Sequence, residues 1–298
     1  MIYRMCLLPA IAAALSGCSL IPVNQGKIEG HVWCNARYLP KVEEFSSQDF
    51  KATGDRYEVA LRGYPYALAG ALVLQSAGKT KHAFTAPSNL VLKPALGAEM
   101  KPKGFFASTY LYTPDGMPPE VIVAFRGSND ARDYWAHSLS PASEQFPQAR
   151  AYVQEVANAY PEYRLVVTGF SLGGGLATHV TLHQDTTHLV KEAWAFNTSP
   201  RNGVRDRPDP RIWMAAAQGE ILNMVRIGTS GAEPGHYSKK FNSIRSSSVF
   251  GHYRYVLTRQ MLHFADLKIY IQSNRTLDTT PPLDILAMAD ESYCKKSQ

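Results

Sequence analysis

The sequence predicts an α/β fold on a mostly parallel central sheet, and three observations carry that expectation. Strand-like and helix-like segments alternate along the chain, the rhythm of βαβ units whose parallel strands need helical crossovers. A length of 298 residues with 45% apolar content is enough for one large buried core. A strand-like apolar run over 163–168 also breaks into four glycines around one serine, GFSLGGGLA, and continues as a helix.

The elements follow in chain order. Residues 1–17 combine an early Arg4, an apolar run too short to span a bilayer and small residues ahead of Cys18, which is the composition of a cleavable export signal. Residues 18–53 are expected to form a linker and the start of the folded body, and 54–298 a single domain. A buried helix is expected over 54–75, a strand over 105–113, a turn at PDGMPP and a strand over 120–125. A helix over 146–160 sets Tyr152, Val156 and Ala159 on one face. YRLVVT reads as a strand, SLGGGLATHVTLHQ as a helix, AWAFN and ILNMVRI as two further strands, and MLHFADLKIY as the start of a last helix.

Charge excludes some functions. Lys and Arg number 31 against 25 Asp and Glu, and loss of a leader carrying Arg4 leaves an excess of about five. No basic run is interleaved with aromatics, so no nucleic-acid partner is expected, whereas a mildly basic body suits work beside anionic lipid head groups. Nothing calls for an organic cofactor. His179 and His183 share one helix face at a spacing of four, yet without a nearby glutamate base or a third ligand no metal site is expected.

Gly169-Phe170-Ser171-Leu172-Gly173 fits G-x-S-x-G, in which the serine occupies a sharp strand-to-helix turn that lifts its hydroxyl into a cleft. The helix N-terminus behind it favours developing negative charge. A serine hydroxyl is a weak nucleophile until an imidazole takes its proton and a carboxylate orients that imidazole, so a histidine and an acid are required downstream.

FRGS, YWAH, VTGFSLGGGLA and AFNTSPRNG, in that order, are similar to the motifs of the class 3 lipase family. The resemblance runs from about Tyr57 to Ile271. It implies the α/β-hydrolase fold with a mostly parallel central sheet flanked by helices, and hydrolysis of lipid or phospholipid esters through an acyl-enzyme on Ser171. Ser128 takes the oxyanion-hole role by the same match, shared with the backbone N–H of Leu172. Phe170 stands where the family usually has histidine. The family's acid follows a strand, here expected to be ILNMVRI, and the only carboxylate in RIGTSGAEPGHY is Glu233, which takes the acid role. Asp206 and Asp209 lie in RDRPDP, which reads as a solvated proline loop. His263, ahead of an apolar-periodic helix with Tyr270 following, resembles the family's histidine segment and is the expected base. His252, in the aromatic run VFGHYRYVL, is the alternative, and His236 a third candidate. The region over 129–145 corresponds to the family's site cover, with Tyr134 and Trp135 as apolar contacts, although Trp135 equally suits a core position.

LSGC resembles the lipobox of bacterial lipoproteins, which makes Cys18 a lipid-modified first residue of the mature chain. Ser19 after it implies outer-membrane sorting in the cell envelope. Loss of Cys6 with the leader leaves Cys34 and Cys294 as a candidate disulfide in an oxidising compartment. Two other functions remain open beside the esterase: a catalytically silent hydrolase-fold lipoprotein that binds, and an acyltransferase using the same triad.

Overall fold

A computed structural model describes residues 54–76, 84–94, 104–127, 142–200, 202–204, 207–224, 226, 231–241, 251–273 and 284–289. Seven strands form one sheet in sequential order: β1 (Leu90–Leu92), β2 (Ala107–Tyr112), β3 (Glu120–Phe125), β4 (Arg164–Phe170), β5 (Glu192–Phe196), β6 (Ile212–Ala217) and β7 (Tyr237–Phe241). The β1/β2 and β2/β3 pairs are antiparallel, and β3 to β7 are parallel. Among the described residues four helices cover it: α1 (Gly54–Ser76), α2 (Ala142–Ala159), α3 (Leu172–Leu182) and α4 (Arg254–Gln272). This is the α/β-hydrolase architecture. No described helix is long and apolar enough to cross a membrane.

Right-handed crossovers that step in one direction put their helices on one face of a sheet. The helices α2 and α3, in the β3–β4 and β4–β5 crossovers, accordingly share one core with the sheet, in which Tyr152, Val153 and Val156 meet Val123, Val167, Leu176 and Val180. The opposite face is covered by α1 and α4, whose Tyr57 and Phe264 rings meet edge to face at 5.0 Å. On that face Tyr66, Trp194 and Trp213 stack in turn, each pair of rings 5.3 Å apart. Buried on both sides, β3 has no exposed residue, which is why it reads as an unbroken apolar run.

A charged lock fixes the N-terminal ends of the central strands. Arg164, first in β4, bonds Glu120, first in β3, at 2.6 Å and also Glu192, first in β5. Arg62 of α1 joins Glu192 at 2.9 Å. Burial pushes the Glu192 carboxyl up, but bonds and charge from Arg62 and Arg164 outweigh it and hold the group below its ordinary value.

The expected helices over 54–75 and 146–160 and the strands over 105–113 and 120–125 correspond to α1, α2, β2 and β3, with ends shifted by a few residues. The expected strand ILNMVRI is not one. Ile221–Met224 is a single 3-10 turn, and the strand of that crossover is β6, IWMAAA. Alanine has helical propensity, but Ala215, Ala216 and Ala217 are all buried in the sheet, and packing overrides propensity there. β1, three residues long and mostly exposed, and β7, short and partly polar, were not expected either.

Candidate active site

The C-terminal ends of the parallel strands are where open α/β sheets present their ligand sites. β4 ends there at Phe170, and Ser171 follows with φ 54° and ψ −118°, a conformation that costs an L residue roughly 1–3 kcal/mol. The turn is held from three sides. The Ser171 N–H donates to Phe196 O at 3.0 Å, and Ser171 O accepts from the N–H groups of Gly175 and Ser199. The flanking glycines are dictated by close approach: a Cβ on Gly169 would lie 2.4 Å from the Gly173 carbonyl carbon, and one on Gly173 would lie 2.2 Å from Phe125 O. Strand, strained serine and helix can meet this closely only without those two side chains.

Ser171 Oγ lies 3.1 Å from His252 Nε2, and His252 Nδ1 lies 2.8 Å from Glu220 Oε2. Glu220 follows β6 by three residues and has no solvent exposure, while His252 sits two residues ahead of α4. Both Glu220 oxygens are engaged: Oε2 also accepts from the Leu222 N–H at 2.9 Å, and Oε1 accepts from Arg226 Nη2 at 2.8 Å. The imidazole is therefore oriented by a carboxylate that cannot turn.

Asn197 holds the histidine from the other side. It follows β5 with φ 42°, a left-handed conformation that asparagine tolerates. Its Nδ2 donates to the carbonyls of Gly251 (3.0 Å) and His252 (3.2 Å), and its Oδ1 accepts from the Ala217 N–H at 2.9 Å. One side chain thus ties the ends of β5 and β6 to His252, which faces Ser171.

Ser171 stands at the turn between β4 and α3, Leu172 is the first residue of α3, and His252, the alternative base, is the histidine beside Ser171. His263 is not. It lies in mid-α4, about 14 Å along the axis from the helix start. It is buried, its Nδ1 makes no hydrogen bond, and burial with the nearby Arg259 charge pushes its pKa down to about 4. Glu233 is not at the site either. The β6–β7 crossover leaves the C-terminal edge after Ala217 and passes Asp209, ahead of β6, at Ala232 before β7 starts opposite Met214, so Glu220 at its start stands beside His252. Glu233, preceding the short turn Pro234–His236, lies at its far end, roughly 20 Å away along β6. His236 stacks on Trp213 at 3.8 Å at that same far end. Asp209 is not in a solvated loop: it is buried and paired with Arg211 at 2.7 Å.

Both ring nitrogens of His179 are engaged. Nδ1 donates to Asn202 O at 2.8 Å and Nε2 accepts from Arg150 Nη1 at 2.8 Å, a neutral ring whose pKa burial, foremost, and the Arg150 charge push down to about 4. That leaves it no lone pair for a metal. His183 pairs with Asp185 at 3.4 Å. Residues 1–53 with Cys18 and Cys34, Cys294, Ser128, Asp206, and Tyr134 and Trp135 lie outside the described residues.

Three residues that surround His252 and its partners escaped the sequence reading: Glu220, Arg226 and Asn197. The carboxylate beside His252 also follows a strand, as the sequence reading expected of the acid, but a different one. The strand was misplaced, and the first carboxylate after IWMAAA is Glu220.

The Tle-like phospholipase domain family matches residues 76–224, half of the chain, a span that includes Ser171 and Glu220. The chain belongs to that family. Among curated proteins no sequence match is found. Solved structures with a related fold include a triacylglycerol lipase from Penicillium expansum (14% identity, 63% of this chain and 82% of that one, TM-score 0.34). The Lip2 lipase of Yarrowia lipolytica (14%, 72% and 95%, 0.36) and a lipase from Rhizopus microsporus var. chinensis (18%, 64% and 75%, 0.34) are similar to the same degree. TM-scores this low add nothing to the geometry above.

Proposed function

We propose that this member of the Tle-like phospholipase domain family is a serine hydrolase of lipid acyl esters, phospholipids foremost, with Ser171 as nucleophile, His252 as base and Glu220 as acid. The observation that carries the reading is the hydrogen-bonded chain from Ser171 Oγ through both nitrogens of His252 to Glu220, at a strained strand-to-helix turn. Ser171 Oγ attacks the ester carbonyl as His252 Nε2 takes its proton. The oxyanion forms at the start of α3, where the Leu172 N–H has no helical partner, and Ser128 supplies a second donor. His252 returns the proton to the leaving alcohol, and water then cleaves the acyl-enzyme by the same route in reverse.

The silent-module reading drew its support from an unusual acid position, and Glu220 removes that ground. Acyl transfer would use the same groups, and no observation favours it over water. Lipid attachment at Cys18 and outer-membrane placement remain part of the proposal, supported by the leader sequence alone. Replacing Cys18 by serine should move the protein from the membrane to the soluble fraction.

The deciding experiment is fatty-acid release from phosphatidylglycerol, a lysophospholipid and a short-chain nitrophenyl ester by wild type beside Ser171→Ala, His252→Ala and Glu220→Ala. Loss of release in all three, each still folded, supports the assignment. Full release by Ser171→Ala, or a folded wild type that neither turns over any ester nor reacts with a fluorophosphonate, refutes it.

A further inference from the structure

Arg226 is the one buried cation in contact with Glu220 among the described residues, and the reaction above gives it no task. Its side chain is 1% exposed and that of Glu220 0%. All five of its N–H donors have acceptors. Nε and Nη2 donate to Thr198 O at 3.0 and 2.7 Å, Nη2 donates to Glu220 Oε1 at 2.8 Å, and Nη1 donates to Asn223 Oδ1 at 2.7 Å and Tyr237 Oη at 3.0 Å. The fork therefore joins the loop after β5, the turn that carries the acid and the start of β7. A structural arginine could be placed anywhere along these loops, whereas this one is set on the oxygen of Glu220 that His252 does not use.

Charge gives the contact its meaning. Without Arg226, Glu220 and neutral His252 make a buried group of net charge −1, and a proton on the imidazole brings it to zero. With Arg226 the same proton raises the group from zero to +1, in a place with little solvent to screen it. The titratable and charged groups that meet there are Glu220 after β6, His252 ahead of α4, Tyr237 at the start of β7 and Arg226 itself.

We propose that Arg226 is a positioning residue that fixes the Glu220 carboxylate against His252 and, by its charge, keeps the base free of its proton at lower pH than the Glu–His pair alone would allow. This rests on the assignment of His252 as base. It adds a fourth member to the site, acting through the acid and touching no substrate.

Arg226→Met and Arg226→Lys test it. Two readouts apply: the pH profile of kcat/KM on a nitrophenyl ester, and the ring-proton NMR titration of His252, identified by its loss in His252→Ala. In the methionine variant the acidic limb and the His252 titration should both move up by about 1–2 pH units, the effect of one unit charge at one carboxylate's remove under an effective dielectric near 20. Lysine restores the charge without the fork, so its limb should stay within a few tenths of a unit of wild type while kcat falls about tenfold and KM changes little. A folded methionine variant with an unmoved titration overturns the proposal, as does a lysine variant with wild-type kcat. If the methionine variant does not fold, Arg226→Gln, uncharged and able to hydrogen-bond, takes its place, and an unmoved His252 titration in that variant overturns the proposal. The NMR readout needs no turnover, so an inactive wild type would count against the proposed function while the titration still judges Arg226.

Discussion

Replacing Glu220 with glutamine keeps shape and length and removes one negative charge, and the structure dictates how the amide must sit. Glu220 Oε1 faces a donor from Arg226 at 2.8 Å, and Oε2 faces the Leu222 N–H at 2.9 Å and His252 Nδ1 at 2.8 Å. A glutamine has one oxygen and one NH2, so either orientation turns an N–H toward a buried donor. Facing the NH2 to Arg226 opposes a fully buried cation, so the oxygen should turn to Arg226 and the NH2 to His252. The amide then donates to Nδ1, the ring's own proton moves to Nε2, and Nε2 has no lone pair for the Ser171 proton. Loss of about 10⁴-fold in kcat is the expected size when a triad base is held in its wrong tautomer. The clash with the Leu222 N–H should cost a further 1–3 kcal/mol of stability, roughly the penalty of one unmet buried donor. Nitrophenyl ester turnover measures the first and thermal unfolding the second. A folded Glu220→Gln enzyme within tenfold of wild type would refute the argument and return the acid role to another carboxylate.

His252→Ala should abolish ester turnover, whereas His263→Ala should retain it and lose stability alone, which steady-state kinetics and melting temperature on the same preparations will separate. Asn197→Asp sets a carboxylate against the carbonyls of Gly251 and His252 in place of a donor, and kcat should fall by tenfold or more with KM little changed. Gly173→Ala forces a methyl to 2.2 Å from Phe125 O, and since that atom is backbone, soluble expression should be lost or the melting temperature should fall by several degrees. His179 and His263 are buried neutral with pKa values lowered from 6.5 to about 4, so each takes up a proton on unfolding. Their folded forms are therefore favoured fully above pH 6.5 and lose that advantage as pH falls toward 4. Urea midpoints across this range should drop, and a variant with both rings replaced should show a shallower slope.

Much of the fold was legible because strand and helix patterns are local. EVIVAF and YRLVVT are apolar β-branched runs, and the glycines around Ser171 mark a turn that no other composition allows. β6 was hidden because its alanines are chosen by a crowded sheet rather than by strand propensity, and that single misplacement carried the expected acid to Glu233 rather than to Glu220, the acid proposed above. The proposed base was hidden for another reason. A histidine gains its role from what faces it, and His252 lies 81 residues from Ser171 along the chain. Spacing around His263 looked right because α4 is a real helix with an apolar face, but that face looks into the core. Arg226 and Asn197 had no signal of their own, since a buried arginine and a left-handed asparagine become visible only once the loops they tie have been placed.

That separation of 81 residues also sets the order in which the molecule becomes reactive. The bonds that shape the nucleophile turn go to Phe196, Gly175 and Ser199, so the turn is complete once β5 has joined the sheet. At roughly 5–20 residues per second, a growing chain carries Ser171 for about 4–16 seconds before His252 has even been made. Through that interval the hydroxyl is an ordinary alcohol. On the proposed reaction, Ser171 therefore has no base to take its proton until His252 has been made and α4, the last long helix among the described residues, docks.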